Sequence, residues 1–268
     1  MPCGGSQGPA AGCGHCLPVR LDRSFFEIQA DFARRVAVIL AIPEQEAFRT
    51  HTTFYWVAGD NDAGLPPERW LFDAGHPAWQ AFVHAIGRGI DPVDYVHEHH
   101  LMSIGDEKAQ VCFEYDYWPD FRWVRLHFGN SPDGLGLRPQ SIPARHAELR
   151  KIFALVVREH PEATAVRGCS WLYHVPAYRR LFPPAFVDGL ASAGYLHQFA
   201  ALWGQFLDRH GRVKDDLGAR FIADVQAAQS LPDLNRAFPL DVLSTTCPID
   251  VFYRHFGIDQ MTRLGHER

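Results

Sequence analysis

Apolar residues recur with a helical period from Ser24 onward: Phe25, Ile28, Phe32, Val36, Ile39 and Leu40 form one stripe, with Glu27, Asp31, Arg34 and Arg35 off it. Ser24 and Glu27 have the spacing of a capping box, and Pro43 predicts the stop. A second helical stretch starts near Pro43 and includes Ala47 and Phe48. Residues 58–76, rich in glycine, proline, aspartate and asparagine, read as a long connection, after which His76 and Pro77 open a helix through Trp79, Phe82, Val83 and Ile86. The pattern predicts a mostly helical region over residues 21–104.

After Gly105 and Asp106 the period drops to two, with Val111, Phe113, Tyr115 and Tyr117 alternating with Cys112, Glu114, Asp116 and Trp118. Pro119 and Asp120 mark a turn, and residues 122–128 form a second strand with Val124, Leu126 and Phe128 on its apolar side. A two- or four-residue loop with Tyr117 opposite Arg122 sets Cys112 against His127, Glu114 against Arg125 and Asp116 against Trp123. One face of the hairpin is then core and the other polar. A glycine-containing loop over 129–142 leads to a helix from Pro143, in which Leu149, Ile152, Phe153, Val156 and Val157 share a face. Residues 163–173 read as a buried strand, 176–182 as a short helix, 195–207 as a strand, 214–229 as an amphipathic helix, 242–246 as a strand and 248–256 as a closing helix. The expected class is α+β or α/β: the helical N-terminal region packs on a mixed sheet flanked by helices, formed by residues 105–268.

The 268 residues are 47% hydrophobic and 13% aromatic, enough for a sizeable core. A net charge of -5 leaves no basic field for nucleic acid. The longest apolar run, 36–42, is too short to cross a bilayer, so a cytoplasmic protein with no membrane partner is expected. Cys112, Cys169 and Cys247 lie in apolar or strand-like surroundings and read as small buried hydrophobes. Cys3, Cys13 and Cys16 fall in residues 1–20, where Cys13-Gly-His-Cys16 has the spacing of half a zinc or redox site within what reads as a flexible leader.

The stretches LHFGN, RHAELRKIFALVVREHPEA and VRGCSWLYHVPAYRRLF, in the order strand, strand, glycine-containing loop, helix, strand, short helix, strand, resemble the central part of GNAT-like N-acyltransferases. They are also similar to bacterial proteins of no assigned activity that end in a GNAT-like domain. The resemblance implies transfer of an acyl group from acyl-CoA to a small amine. It puts the acyl-CoA pyrophosphate where the 129–142 loop meets the following helix, at Gly129, Gly134 and Gly136. It implies Tyr178 as the acid and His127 or Glu114 as the base. This loop lacks the compact Gly-x-Gly or Gly-x-Ala of the family, and Pro139 and Pro143 remove donors. A non-catalytic GNAT-like protein that binds a small ligand or a protein partner is the alternative.

Each of these residues also has a structural reading: Glu114 as a cross-strand partner of Arg125, His127 as a hydrogen-bonded edge histidine, and Tyr178 as core packing with Trp171 and Phe182. Arg179 and Arg180, with Trp171 and His174, form the densest polar-aromatic segment, where guanidinium forks can bind a carboxylate or phosphate. Gly168-Cys169-Ser170-Trp171 offers a nucleophile with His174 nearby, but inside a strand and without the second glycine of a nucleophile elbow. His97, His99 and His100, with Asp91, Asp94 and Asp106, lack the spacing of an established metal motif, so no metal is assigned.

Overall fold

Short-range signals set most of the element boundaries, and long-range pairing then gathers the elements around two cores. The computed structural model describes residues 18–57, 74–100, 103–106, 111–129 and 136–259. The leader with Cys3, Cys13 and Cys16, and positions 58–73 of the expected connection, lie outside them. Strand β1 (Pro18–Arg20) pairs antiparallel with β2 (Ser103–Asp106). Between them run α1 (Arg23–Leu40), α2 (Glu44–His51), α3 (Phe54–Val57), α4 (Pro77–Gly87) and α5 (Pro92–His99). The cap of α1 is Asp22 and not Ser24: Asp22 accepts from the Ser24 N–H at 2.9 Å, while the Ser24 hydroxyl accepts from Val213 N at 3.2 Å. α1 ends at Ala41 in a left-handed conformation, ahead of Pro43.

The rest of the chain builds a five-stranded sheet in the order β3-β4-β5-β7-β6. β3 (Phe113–Trp118) and β4 (Trp123–Phe128) form an antiparallel hairpin; α6 (Ile142–Glu159) crosses over to β5 (Ala165–Ser170), which runs parallel to β4. A 3-10 turn over Trp171–His174, α7 (Pro176–Arg179) and α8 (Pro184–Asp188) lead to β6 (Ala191–Gly194) at the far edge. α9 (Ala200–Trp203), α10 (Asp215–Ala227) and α11 (Leu231–Arg236) precede β7 (Val242–Pro248), which pairs antiparallel with both β5 and β6, and α12 (Ile249–Phe256) closes the described chain. The architecture is mixed α+β, an open sheet flanked by helices. Among the described residues no helix is long and apolar enough to cross a membrane.

Three expectations are corrected. The hairpin register is shifted by two: Trp118 stays in its strand opposite Trp123, so Glu114 opposes His127 and Asp116 opposes Arg125. The turn is residues 119–122, closed by Phe121 N to Trp118 O at 3.2 Å and by Arg122 in a left-handed conformation at φ 56°. Val111 is exposed and Cys112 buried, because the regular alternation begins only at Phe113. Residues 195–207 are not a strand but a loop, α9 and a second 3-10 turn. Leu202, Trp203 and Phe206 from that stretch fill a helical core, a tertiary demand that overrides their strand-like composition.

That core is aromatic and spans the chain. Phe25, Phe26 and Phe32 of α1 and Phe48 of α2 are joined from the other end by Trp203, Phe206, Phe221 and Phe238. The Phe32 ring meets Trp203 edge-on at 5.4 Å and Phe238 at 5.4 Å. The second core lies under the sheet, where Phe113, Val124 and Val166 face Phe153 and Val156 of α6 and Phe252 of α12. Tyr173 crosses beneath β5 at Gly168, where an added Cβ would strike the Tyr173 hydroxyl and stand 2.6 Å from Phe186 Cζ. Gly168→Ala should therefore cost about 1–3 kcal/mol by overpacking, read as a lower midpoint in urea unfolding; an unchanged midpoint would mean that the tyrosine moves aside freely.

His197 is buried in the aromatic core, with Nε2 3.0 Å from Asn235 Oδ1 and its ring 4.8 Å from Phe32. Burial, with a smaller contribution from the charge of the neighbouring His51, pushes its pKa down from 6.5 to about 3. The unfolded chain takes up this proton near pH 6.5 and the folded chain only near pH 3. Stability should therefore fall across that interval, by up to about 1.4 kcal/mol per pH unit. His197→Gln should flatten this slope in urea titrations between pH 7 and pH 4; a slope identical to that of the parent would assign the acid sensitivity to other groups.

Candidate functional site

The face of the sheet turned away from α6 is polar where the hairpin meets β5. Strand alternation puts Glu114, Asp116 and Trp118 of β3, Trp123, Arg125 and His127 of β4, and Arg167 and Cys169 of β5 on this side, since Val124 and Val166 point into the opposite core. Asp116 Oδ2 lies 2.5 Å from His127 Nε2 and 3.1 Å from Arg125 Nη2. The Arg125 guanidinium also sits 4.9 Å over the Trp118 ring, and that of Arg167 sits 5.0 Å over Trp123. Two indoles thus each back a guanidinium group, and the Arg125 guanidinium fixes the carboxylate that orients the histidine.

The Asp116 carboxyl is held below its ordinary value of 3.8: burial alone would raise it, and the hydrogen bond and charge of His127, with the charge of Arg125, outweigh that. Arg125 Nε also stands 3.3 Å from His127 Nε2, so Asp116 and Arg125 together fix the orientation of the imidazole, the arrangement a general base requires. Its side chain is 39% exposed, so a substrate can reach it. Glu114 stands exposed opposite His127.

β4 and β5 pair only at Trp123–Ala165, Val124–Val166 and Arg125–Arg167. Both strands run on for three residues, to Phe128 and Ser170, without continuing that ladder, while β3 and β7 stay paired along their outer sides. The sheet therefore opens between two parallel strands, and His127 stands at the opening. A peptide-like ligand in such a cleft meets strand edges that carry amide donors and acceptors.

Other expected site residues are placed elsewhere. Tyr178 is 2% exposed, stacked on Phe113 at 6.1 Å and edge-on to Phe128 at 5.4 Å. Its hydroxyl is paired with that of Tyr173, and burial pushes it well above the ordinary tyrosine value. The Gly129 N–H donates to Cys112 O at 2.8 Å, Gly136 makes a turn at φ 46°, and Gly134 lies outside the described residues. In the first turns of α6, Arg145 and Glu148 are buried together with Nη2 to Oε1 at 3.0 Å; Glu148 accepts from Cys112 N at 3.0 Å, and Arg145 touches the Cys112 sulfur. This buried pair ties the start of β3 to α6. His174 Nε2 lies 2.7 Å from Asp241 Oδ1, whose other oxygen accepts from Ser192. Trp171 and Arg179 are half-buried and Arg180 exposed nearby in the chain. Among the described residues no three His, Cys, Asp or Glu side chains are grouped to hold a metal. His99 stacks on Tyr95 at 4.1 Å, His100 turns Nδ1 to His97 O at 2.6 Å, and Asp94 pairs with Arg23.

Sequence reasoning missed Asp116 and Asp241 as histidine partners. The signal for Asp116 was present: any even hairpin loop puts it on the face of His127, and only the two-residue slip hid the proximity. Asp241 meets His174 across 67 positions, and no local pattern encodes that. No family model, curated protein or solved structure matches the chain. Asp116→Asn should lower stability by about 1 kcal/mol or less near neutrality, as expected for a partly exposed pair. The unfolded carboxyl protonates near 3.8 and the folded one only in stronger acid, so the stabilisation is complete above 3.8 and vanishes as pH falls through the lowered value. Urea unfolding at pH 7 and in progressively stronger acid checks this; a loss that is equal at every pH would assign it to packing.

Proposed function

We propose that the chain is a GNAT-like acyltransferase of the cytoplasm that moves an acyl group from an acyl-CoA to a small amine, with His127 as base and Asp116 as its orienting partner. One observation carries this reading: two parallel strands that stop pairing after Arg125 and Arg167 and part beside an oriented, accessible histidine. The pantetheine arm of an acyl-CoA carries two amides in an extended chain, and the parted edges of β4 and β5 match that chemistry. An acyl carbon held at the opening lies beside a group able to take the proton of an attacking ammonium or amine. The strand, helix, strand sequence β4-α6-β5 also agrees with the order on which the resemblance rests. Tyr178, deep in the second core, supports β3 and β4 in this reading and donates no proton to a leaving group.

A non-catalytic GNAT-like protein is the second reading, and a specific observation favours it. The Gly129 N–H, a donor expected to meet the pyrophosphate, is spent on Cys112 O. Thermal melting with acetyl-CoA, longer acyl-CoAs and free CoA separates the two, because a ligand at about 100 times its Kd adds about 2.7 kcal/mol. A rise of several degrees, followed by amine-dependent release of the CoA thiol that falls at least about 100-fold in His127→Ala, is the expected outcome. No rise with any of these compounds would withdraw acyl-CoA as the donor and leave the non-catalytic reading.

A further inference from the structure

Among the described residues, histidine rings meet in three pairs. His51 and His197 are held by Thr50 and Asn235, and His100, stacked on His97, is buried with Nδ1 turned to His97 O. The third pair differs. His146 of α6 and His255 of α12 have ring centroids 6.1 Å apart, and neither imidazole makes a hydrogen bond or ion pair with a described residue. His146 is half-buried and His255 exposed, so both are reached from solvent. The packing of the two helices fixes their spacing. His146 lies two helical turns before Phe153, whose ring packs on Phe252 at 4.8 Å and on Phe256 at 5.4 Å. Phe256 in turn meets both histidines, His255 edge-on at 4.8 Å and His146 at 6.1 Å.

Two imidazoles bound through nitrogen to one metal ion at about 2.0–2.1 Å have ring centroids about 5–6.5 Å apart, and this pair falls within that range. The ring torsion of histidine is broad, so turning a nitrogen of each ring towards the space between them costs little. His255 also stands in the last turn of α12, where the helix dipole favours a positive charge. We propose that His146 and His255 form a two-imidazole clamp for a divalent transition-metal ion of the kind that prefers imidazole, zinc, nickel or copper, with water in its remaining positions. With two protein ligands the ion is exchangeable, and it links α6, the crossover helix, to α12. Binding to the folded chain alone makes the ion a stabiliser of the second core. The proposal is independent of acyl transfer, since neither histidine lies on the polar face of the sheet.

The full-length chain, carrying Cys3→Ser, Cys13→Ser and Cys16→Ser so that no leader thiol competes, is stripped of metal and titrated calorimetrically with nickel(II) and zinc(II), with magnesium as control. About one equivalent of nickel or zinc should bind more tightly than the rest, and its affinity should fall at least about tenfold in His146→Gln and equally in His255→Gln. The double variant should lose no more than either single one, because a clamp is broken by removing one arm. Both positions reach solvent, so the urea midpoint of each variant without metal should match the parent. Nickel should raise that midpoint in the parent and not in the variants. Parental affinity in both single variants, or no tight equivalent in the parent, would overturn the site. Loss in one variant alone would overturn the clamp by assigning the ion to a different second ligand. An equal response to magnesium, which imidazole does not favour, would overturn coordination by the histidines.

Discussion

The parallel pairing of β4 with β5 is the constraint on which the sheet depends. Parallel neighbours cannot be joined by a tight turn, so the chain must leave the sheet, travel back along one face and re-enter, and α6 is that return path. Its buried stripe of Leu149, Phe153 and Val156 makes that face apolar and supplies the second core. The opposite face is thereby released from packing against α6 and carries the arginines, tryptophans, Asp116 and His127. A crossover helix and a polar sheet face are thus two results of one strand direction.

Electrostatics on that polar face follow a sequence of dependences. Trp118 and Trp123, directly opposite in the hairpin, back the guanidinium groups of Arg125 and Arg167; Arg125 then steadies Asp116, and Asp116 holds His127. Asp116 and His127 are partly exposed, so the ion pairs they make are individually weak. What the arrangement provides is orientation, since a histidine with one nitrogen fixed presents the other in one direction. The buried Arg145–Glu148 pair at the start of α6 works differently: it is shielded from solvent, ties α6 to the start of β3 through Cys112, and is costly to break from either side.

Periodicity made the long elements legible. α1, α6, α10 and the hairpin strands each present a full apolar stripe or alternation, and each forms close to where the pattern puts it. The failures fall where the deciding contact is distant. Tyr195, Phe199, Trp203 and Phe206 carry strand-like composition, yet Trp203 and Phe206 turn inward to fill space beside Phe32, which no window around residue 200 can reveal. Of the candidate site, His127 and the polar hairpin face were legible. The Asp116 contact was obscured by a register slip of two residues, and the parting of β4 from β5 is a property of two strands separated by a helix.

The aromatic core around α1 also bears on how the protein is made. Arg35 binds the Ala228 carbonyl across 193 positions of chain, and Phe32 packs on Phe238. During synthesis α1 emerges from the ribosome long before part of what covers it, with Phe32 still lacking Trp203, Phe221 and Phe238. Contacts of such sequence separation slow folding and prolong the exposure of apolar surface. A chain halted before residue 200 therefore carries α1 packed on α2 and α5 but without the cover of α10 and α11.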